Sequence, residues 1–416
     1  MLQSWQQKGS SQMKLAKILL GTAVVLGAAT GASYAQEKVL HMIQCGDNTW
    51  GGDFAEAHMA EWEAANPGYK INLEYVAWGQ CQDKATTLAA AGNPPALAYM
   101  GSRTLKQLSA NGLIVSLDYT DEEKASYAAP VLGTVTANGK IWGAPRAFST
   151  KALYWNKDLF AAAGLDPEAG PKTWDEMYNA AAAIKEKTDA DGFGLAAASF
   201  DNTMHQFMNY VYTNGGEVIN ADGDIVFNSP NNVEALEFYG VKMASVSQPG
   251  PIAYDRAKLT PLMVESRIGM YIDGPWARAR LTDINFGVTG VPAGPNGGPG
   301  TLLITDSLAV FANTGVEAQA VDLAKFLTNP ENQFAFEKAA GLTPLRNVAG
   351  VADLVAEDPT WSAFLDTIPT GGPEPFVTDY VGLQDVINEA IQSVVLGEAT
   401  AADAVAEAAE ALEEYK

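Results

Sequence analysis

Val39-Leu40-His41-Met42-Ile43, Ile71-Asn72-Leu73-Glu74-Tyr75-Val76 and Ala96-Leu97-Ala98-Tyr99-Met100 are short apolar stretches near the start of the chain, and what lies between them decides the fold. The first runs into Gln44-Cys45-Gly46-Asp47 and reads as a buried strand feeding a loop. The second alternates apolar and polar side chains, the period of a strand. Between them, residues 54–65 keep helical spacing until Asn66-Pro67-Gly68 stops it. A second helix is expected near 84–91, before the third stretch. Strand-helix-strand-helix-strand predicts an α/β fold built on a parallel, doubly wound sheet. Ligands sit at the carboxyl ends of the strands in such sheets. That rule sets Asp47, Asn48 and Trp50, then Trp78 and Gln80, then Ser102 and Arg103, along one edge.

Further on the chain is richer in helix. Thr173-Trp174-Asp175-Glu176 has the pattern of a capped helix start, and 201–212 reads as another helix. Asn214-Gly215-Gly216 and Asp222-Gly223-Asp224 are turns. Pro292 to Gly300, PAGPNGGPG, has to be loop, and strand character returns over 301–312. In the Ala/Glu-rich tail, Val405, Ala408, Leu412 and Tyr415 fall on one helical face, which predicts a docked amphipathic helix.

The N-terminus reads MKLAKILLGTAVVLGAATGASYAQEK from Met13. Lys14 and Lys17 precede an apolar run, and Ser33-Tyr34-Ala35 places small residues before a cut at Gln36. This is the pattern of a cleaved signal peptide, with Met13 as its start and residues 1–35 removed. The run is too short for a comfortable bilayer span of about 20 residues. No cysteine stands at the cut, so no lipid anchor is expected, and export to a periplasm follows. About 380 residues remain, enough for two domains.

Lysine and arginine number 26 against 49 aspartates and glutamates. The leader carries Lys8, Lys14 and Lys17 and no acid, which leaves 23 against 49, a net −26. Such a surface repels nucleic acid and anionic lipid. Cys45 and Cys81 are the only cysteines, and an even count in an oxidising compartment allows one disulfide. Neither a CxxC nor a Cys/His cluster supports a metal or redox role. His41, His58 and His205 are far apart, and HExxH, GxSxG and GxxxxGK[ST] are all missing. No cofactor or metal is expected, and most positive reasons to propose an enzyme are gone.

Arg267-Ile268-Gly269-Met270-Tyr271-Ile272-Asp273-Gly274-Pro275-Trp276 resembles a segment of the extracellular solute-binding proteins of family 1, the maltose-binding-protein type. Asn138-Gly139-Lys140-Ile141-Trp142-Gly143-Ala144-Pro145 and Leu153-Tyr154-Trp155-Asn156-Lys157-Asp158-Leu159-Phe160 resemble others, as does Lys172-Thr173-Trp174-Asp175-Glu176-Met177. Val291-Pro292-Ala293-Gly294-Pro295, Phe326-Leu327-Thr328-Asn329-Pro330-Glu331 and Gly341-Leu342-Thr343-Pro344-Leu345-Arg346 follow in the family's order. The resemblance implies the type II periplasmic binding protein fold: two doubly wound α/β lobes, hinge crossings, and a ligand cleft between them. It implies crossings near Arg146, Gly290 and Gly341. One lobe then holds 36–146 and 291–340, the other 147–290 and 341–416. It further implies closure on a sugar or polyol and docking of a monomer onto ABC permease subunits in the inner membrane.

By the same resemblance Trp276 matches the family's cleft tryptophan, against the alternative of a core residue. An indole stacks well on a sugar's C–H face while hydroxyls find polar partners around it. Trp50 and Trp78 are candidates for the opposing wall or for simple packing. Asp47 either accepts sugar hydroxyls or caps a helix, and Asn48 and Gln80 are weaker versions of the same idea. Asp306 ends an apolar strand and either faces the cleft or turns the chain. Arg103, Arg146 and Arg346 stand out in a chain poor in cations, and each forks two ligand oxygens or joins an ion pair. Two of them sharing the cleft would favour a sugar acid or a ligand like glycerol 3-phosphate. Asn202, His205 and Tyr380 fall where the family contributes second-lobe contacts. A secreted glycoside-processing enzyme is the alternative from another class.

Overall fold

β1 (Lys38–Cys45), β2 (Tyr69–Val76) and β3 (Leu97–Gly101) form on the three apolar stretches, with helices Gly52–Ala65 and Trp78–Ala90 between them. The computed structural model describes residues 37–47, 52–220, 222–348 and 350–415. The expected leader at 1–35, together with Asn48 and Trp50, lies outside the described residues.

β1 is the centre of the parallel part. It pairs with β2 from Lys38–Tyr69 to Cys45–Val76, and with β3 on its other side. The remaining strands in chain order are β4 (Thr136–Ala137), β5 (Lys140–Ile141), β6 (Ala144–Ser149), β7 (Ala152–Asn156), β8 (Met270–Asp273), β9 (Phe286–Gly290), β10 (Leu302–Val310) and β11 (Gly372–Pro373). Two larger sheets result. One has the order β11-β10-β3-β1-β2 with β6 also on β10; the other is β8-β7-β9. β10 runs antiparallel to β3 and β6, so the first sheet is mixed. The physical reason is the route: β10 enters from the second sheet rather than through a crossover helix of the first. β4 and β5 form a hairpin over Asn138 and Gly139, whose φ values of 51° and 71° suit the mirror-image turn that Asn-Gly favours.

Each sheet has its own core. Leu40, Ile43, Leu97, Met100, Leu308 and Phe336 bury together in one cluster. Around the other sheet, side chains alternate between two clusters. Leu153, Met270 and Ile272 face Trp174, Phe207 and Ile391, while Tyr154 and Tyr271 face Met263, Trp361 and Phe364. Only Thr150 and Lys151 separate β6 in the first sheet from β7 in the second. The chain returns between β9 and β10, and Leu342 and Leu345 still pack in the first cluster before Leu354 enters the second lobe.

Local chemistry sets the helix ends. Thr173 accepts from the Glu176 amide at 3.2 Å and starts helix Trp174–Lys187. Asp201–Thr213 is helical, and helix Ala401–Leu412 buries Val405, Ala408 and Leu412. Cys45, at the end of β1, and Cys81, in helix Trp78–Ala90, form a disulfide with Cα atoms 5.4 Å apart. Among the described residues no helix is long and apolar enough to cross a membrane.

Candidate functional site

Arg103 is the hub of the cleft. It sits in the helical turn Ser102–Thr104 directly after β3, the strand end where ligands gather. One Nη lies 3.1 Å from Asp201; the other lies 3.3 Å from Asp306 and 3.4 Å from Glu374. Asp306 comes from β10 of the same sheet, whereas Asp201 opens a helix of the second lobe, so the guanidinium spans both. Tyr99 donates its hydroxyl to Asp306 at 2.9 Å. Tyr380 donates to Glu374 at 3.1 Å, and its ring lies under the guanidinium with the centroid 5.3 Å away. His205 stands one helical turn after Asp201, on the same face. Its Nε2 is 2.8 Å from Glu374 and 3.0 Å from the Tyr380 hydroxyl.

Trp276 forms the neighbouring part. It follows β8 in the turn Pro275–Arg280, where a Cβ on Gly274 would collide with the indole, so glycine makes room for the ring. Trp276 is half-buried and packs against both the first cluster and the second lobe's Tyr154–Tyr271 cluster. Lys151 Nζ is 4.7 Å from its ring centroid and the Arg256 guanidinium 5.0 Å, both within cation–π range. Arg256 is paired with Asp273 at 2.5 Å, and its amide donates to the Asn202 side chain at 3.1 Å. Asp273 is fully buried and also accepts from the Gly274 amide at 2.7 Å.

Burial and pairing compete in this cluster. Burial raises the Asp306 carboxyl, and Arg103 only partly counters it. Burial pushes Glu374 the same way, but Arg103 and His205 outweigh it and hold the carboxyl below its ordinary range. Burial, then the Arg256 charge, lowers Lys151 to about 7. Arg103, Lys151 and Arg256 thus face Asp201, Asp273, Asp306 and Glu374. Charged donors and acceptors stand beside the rings of Trp276 and Tyr380, which suits a ligand rich in hydroxyls. Among the described residues no group of three or more His, Cys, Asp or Glu is arranged for a metal.

Of the residues singled out in the sequence, Arg103, Asp306, His205, Tyr380, Trp276 and Asn202 come together here. Ser102 is buried beside them, its hydroxyl 2.8 Å from that of Ser307, linking β3 to β10. Trp78 is 46 % exposed and meets Tyr99 edge-on at 5.5 Å, one ring away from Asp306. Asp47 and Gln80 are exposed on the same edge. Arg146 and Arg346 lie elsewhere. Arg146 donates to the Leu327 carbonyl at 2.6 Å and stacks 3.6 Å over Phe336. Arg346 donates to the Tyr127 hydroxyl and the Thr328 carbonyl, both at 2.5 Å. Both join pieces of the first lobe, so of the three arginines only Arg103 belongs to the cluster.

Lys151, Asp201, Arg256, Asp273 and Glu374 were not picked out from the sequence. Asp273 carried a signal, three residues before Trp276 in a segment already noted. Lys151 stands five residues after Arg146, where a crossing was expected. Asp201, Arg256 and Glu374 carried none, since acids are plentiful and no motif surrounds them.

The model of the family described as bacterial extracellular solute-binding protein matches residues 48–334. A binding protein of Brucella abortus is 29 % identical over 354 residues, covering 83 % of this chain and 85 % of that one. The diacetylchitobiose binding protein of Streptomyces coelicolor is 24 % identical over 377 residues, 86 % of this chain and 85 % of the relative. The crystal structure of an ABC transporter solute binding protein from Thermotoga lettingae, bound with alpha-D-tagatose, superposes with a TM-score of 0.81. It is 25 % identical, and the match covers 91 % of this chain and 99 % of that one.

Proposed function

The chain belongs to the bacterial extracellular solute-binding protein family, and we propose that it captures a neutral sugar or sugar alcohol between its lobes and hands it to an ABC permease in the inner membrane. The family is one of binding proteins rather than enzymes. The tagatose-bound and diacetylchitobiose-binding relatives support a carbohydrate.

One observation carries the neutral ligand. Both guanidiniums of the cluster already face carboxylates, Arg103 three of them and Arg256 Asp273. A phosphate or sugar acid would have to compete with those acids, and it would enter a site that already holds four carboxylates against three cations. A polyhydroxylated ligand adds hydrogen bonds without adding charge.

The proposed contacts are Trp276 against the ligand's C–H face, and Arg103, Asp306, His205, Tyr380 and Asn202 around its hydroxyls. Asp47, Trp78 and Gln80 form the rim; Asn48 and Trp50, proposed contacts from the sequence, lie outside the described residues. Ser102, Arg146 and Arg346 support the first lobe. We divide the lobes at 36–146 with 291–340, and 147–290 with 341–416, except that 341–346 stays with the first lobe, where Leu342 and Leu345 pack and Arg346 is held by Tyr127 and Thr328. What supports this division is the change of sheet between β6 and β7 and again between β9 and β10. Ligand touching both lobes stabilises the closed state and shifts the population toward it. The leader directs the chain to the periplasm, where it acts as a monomer. Its net charge of −23 argues against a nucleic-acid partner.

A thermal-shift panel of D-tagatose, ribitol, maltose and glycerol 3-phosphate tests this. The expected result is a stabilisation of about 2.7 kcal/mol at a hundredfold excess over Kd for one of the neutral compounds, with the compound recovered intact. A preference for glycerol 3-phosphate would overturn the neutral ligand. Consumption of the sugar, or silence across the panel, would overturn carbohydrate binding itself.

A further inference from the structure

Lys151 occupies the two-residue passage between β6 and β7, and its backbone is fixed there. Its amide donates to the Thr301 hydroxyl at 2.8 Å, across to the passage between β9 and β10. Asn209, on helix Asp201–Thr213, accepts from the Leu302 amide at 3.0 Å and lies 3.3 Å from the same Thr301 hydroxyl. Two crossings and a second-lobe helix are therefore tied together at the root of this side chain.

The ammonium itself is poorly satisfied. Lys151 is 2 % exposed, and its Nζ donates to the Ser149 hydroxyl at 2.9 Å. Among the described residues no carboxylate lies within ion-pair distance of it and no second acceptor is present. An ammonium has three donors. Two are left over in a buried place, beside the ring of Trp276 at 4.7 Å. A buried charge short of acceptors is costly, and oxygens of a bound ligand are the missing partners. Arg256 repels the ammonium, while Asp273, Glu374 and Asp306 attract it from farther off. Arg103, Asp201, His205, Tyr99 and Tyr380 are the other charged and titratable groups of the cluster.

We propose that Lys151 is a specificity-determining residue: its ammonium donates two hydrogen bonds to neighbouring oxygens of the ligand held at Trp276, so binding requires Lys151 to be charged. This rests on the carbohydrate-binding reading. The ligand gives a buried cation what the protein withholds, and it does so at the hinge, where occupancy is felt by both lobes. Burial holds the free group at about 7. Ligand favours the charged form, so affinity is full below that value and falls as pH rises through it.

The test is calorimetric titration with whichever of D-tagatose, ribitol and maltose shifts the melting point, at about pH 6 and about pH 8.5. The wild type is expected to bind about tenfold or more weakly at the higher pH. Lys151→Met is expected to lose about tenfold or more at the lower pH while melting no lower than the wild type, since it removes an under-partnered buried charge. Lys151→Arg, which stays charged, is expected to bind with its pH dependence gone. Wild-type affinity in Lys151→Met overturns the proposal. So does a pH dependence that survives in Lys151→Arg. A wild type that binds none of the three compounds overturns this proposal together with carbohydrate binding.

Discussion

At the scale of the residue, identical side chains have opposite fates according to what lies around them. Arg103 and Arg146 are both buried arginines. Arg103 follows a strand's carboxyl end and gathers three carboxylates from both lobes, whereas Arg146 stacks on Phe336 inside one lobe, where burial lowers it to about 10. Trp276 was singled out through its Gly-Pro-Trp segment, and Gly274 before it leaves the space its indole needs. Trp276→Ala removes the apolar face offered to the ligand and the ring beside Lys151 and Arg256. We expect a loss of about 2–3 kcal/mol of binding, roughly a 30- to 150-fold weaker Kd, with the fold retained. Calorimetry checks it, and unchanged affinity would remove Trp276 from the site.

At the scale of the element, the junction of β1 with helix Trp78–Ala90 shows how a covalent tie supports a binding edge. The Cys45–Cys81 disulfide spans 36 residues and pins the end of β1 to the helix that carries Trp78 and Gln80. Its chain-entropy contribution is about 3–4 kcal/mol. Cys45→Ser with Cys81→Ser should lower unfolding stability by about that amount, read by denaturant titration, and leave affinity within about twofold. A large loss of affinity in a folded double variant would instead place the disulfide's neighbours in the site. Elements were well legible here. Short apolar runs marked β1 and β3, alternation marked β2, and the Thr173 pattern marked the start of helix Trp174–Lys187. The β8-β7-β9 sheet was not, because both its faces are buried and its central strand β7 lies more than a hundred positions from both its partners in sequence.

At the scale of the whole molecule, the two lobes meet through a charged contact as well as through covalent crossings. Arg103 of the first lobe reaches Asp201 of the second at 3.1 Å. Arg103→Met strands Asp201, Asp306 and Glu374 without their shared cation, and breaking a buried pair typically costs about 3–5 kcal/mol. We expect the ligand-free variant to melt lower and to show a larger radius of gyration by small-angle scattering, as mutual repulsion of the acids favours the open form. Unchanged melting and an unchanged radius would mean that the ion pairs play no part in closure.

By itself the sequence determined the α/β class, the strand-end edge that carries Arg103, the family-like segments and Trp276. Those rest on local periodicity, turn chemistry and contiguous motifs, which are properties of neighbours along the chain. Only the tertiary structure decided that Asp201, Asp306 and Glu374 converge on one arginine, that Arg146 and Arg346 serve the first lobe, and that Lys151 lies buried beside Trp276. Those facts depend on which distant segments the crossings bring together and on how much water they exclude. In a chain with 49 acidic residues, no local pattern marks the few that end up buried against a cation.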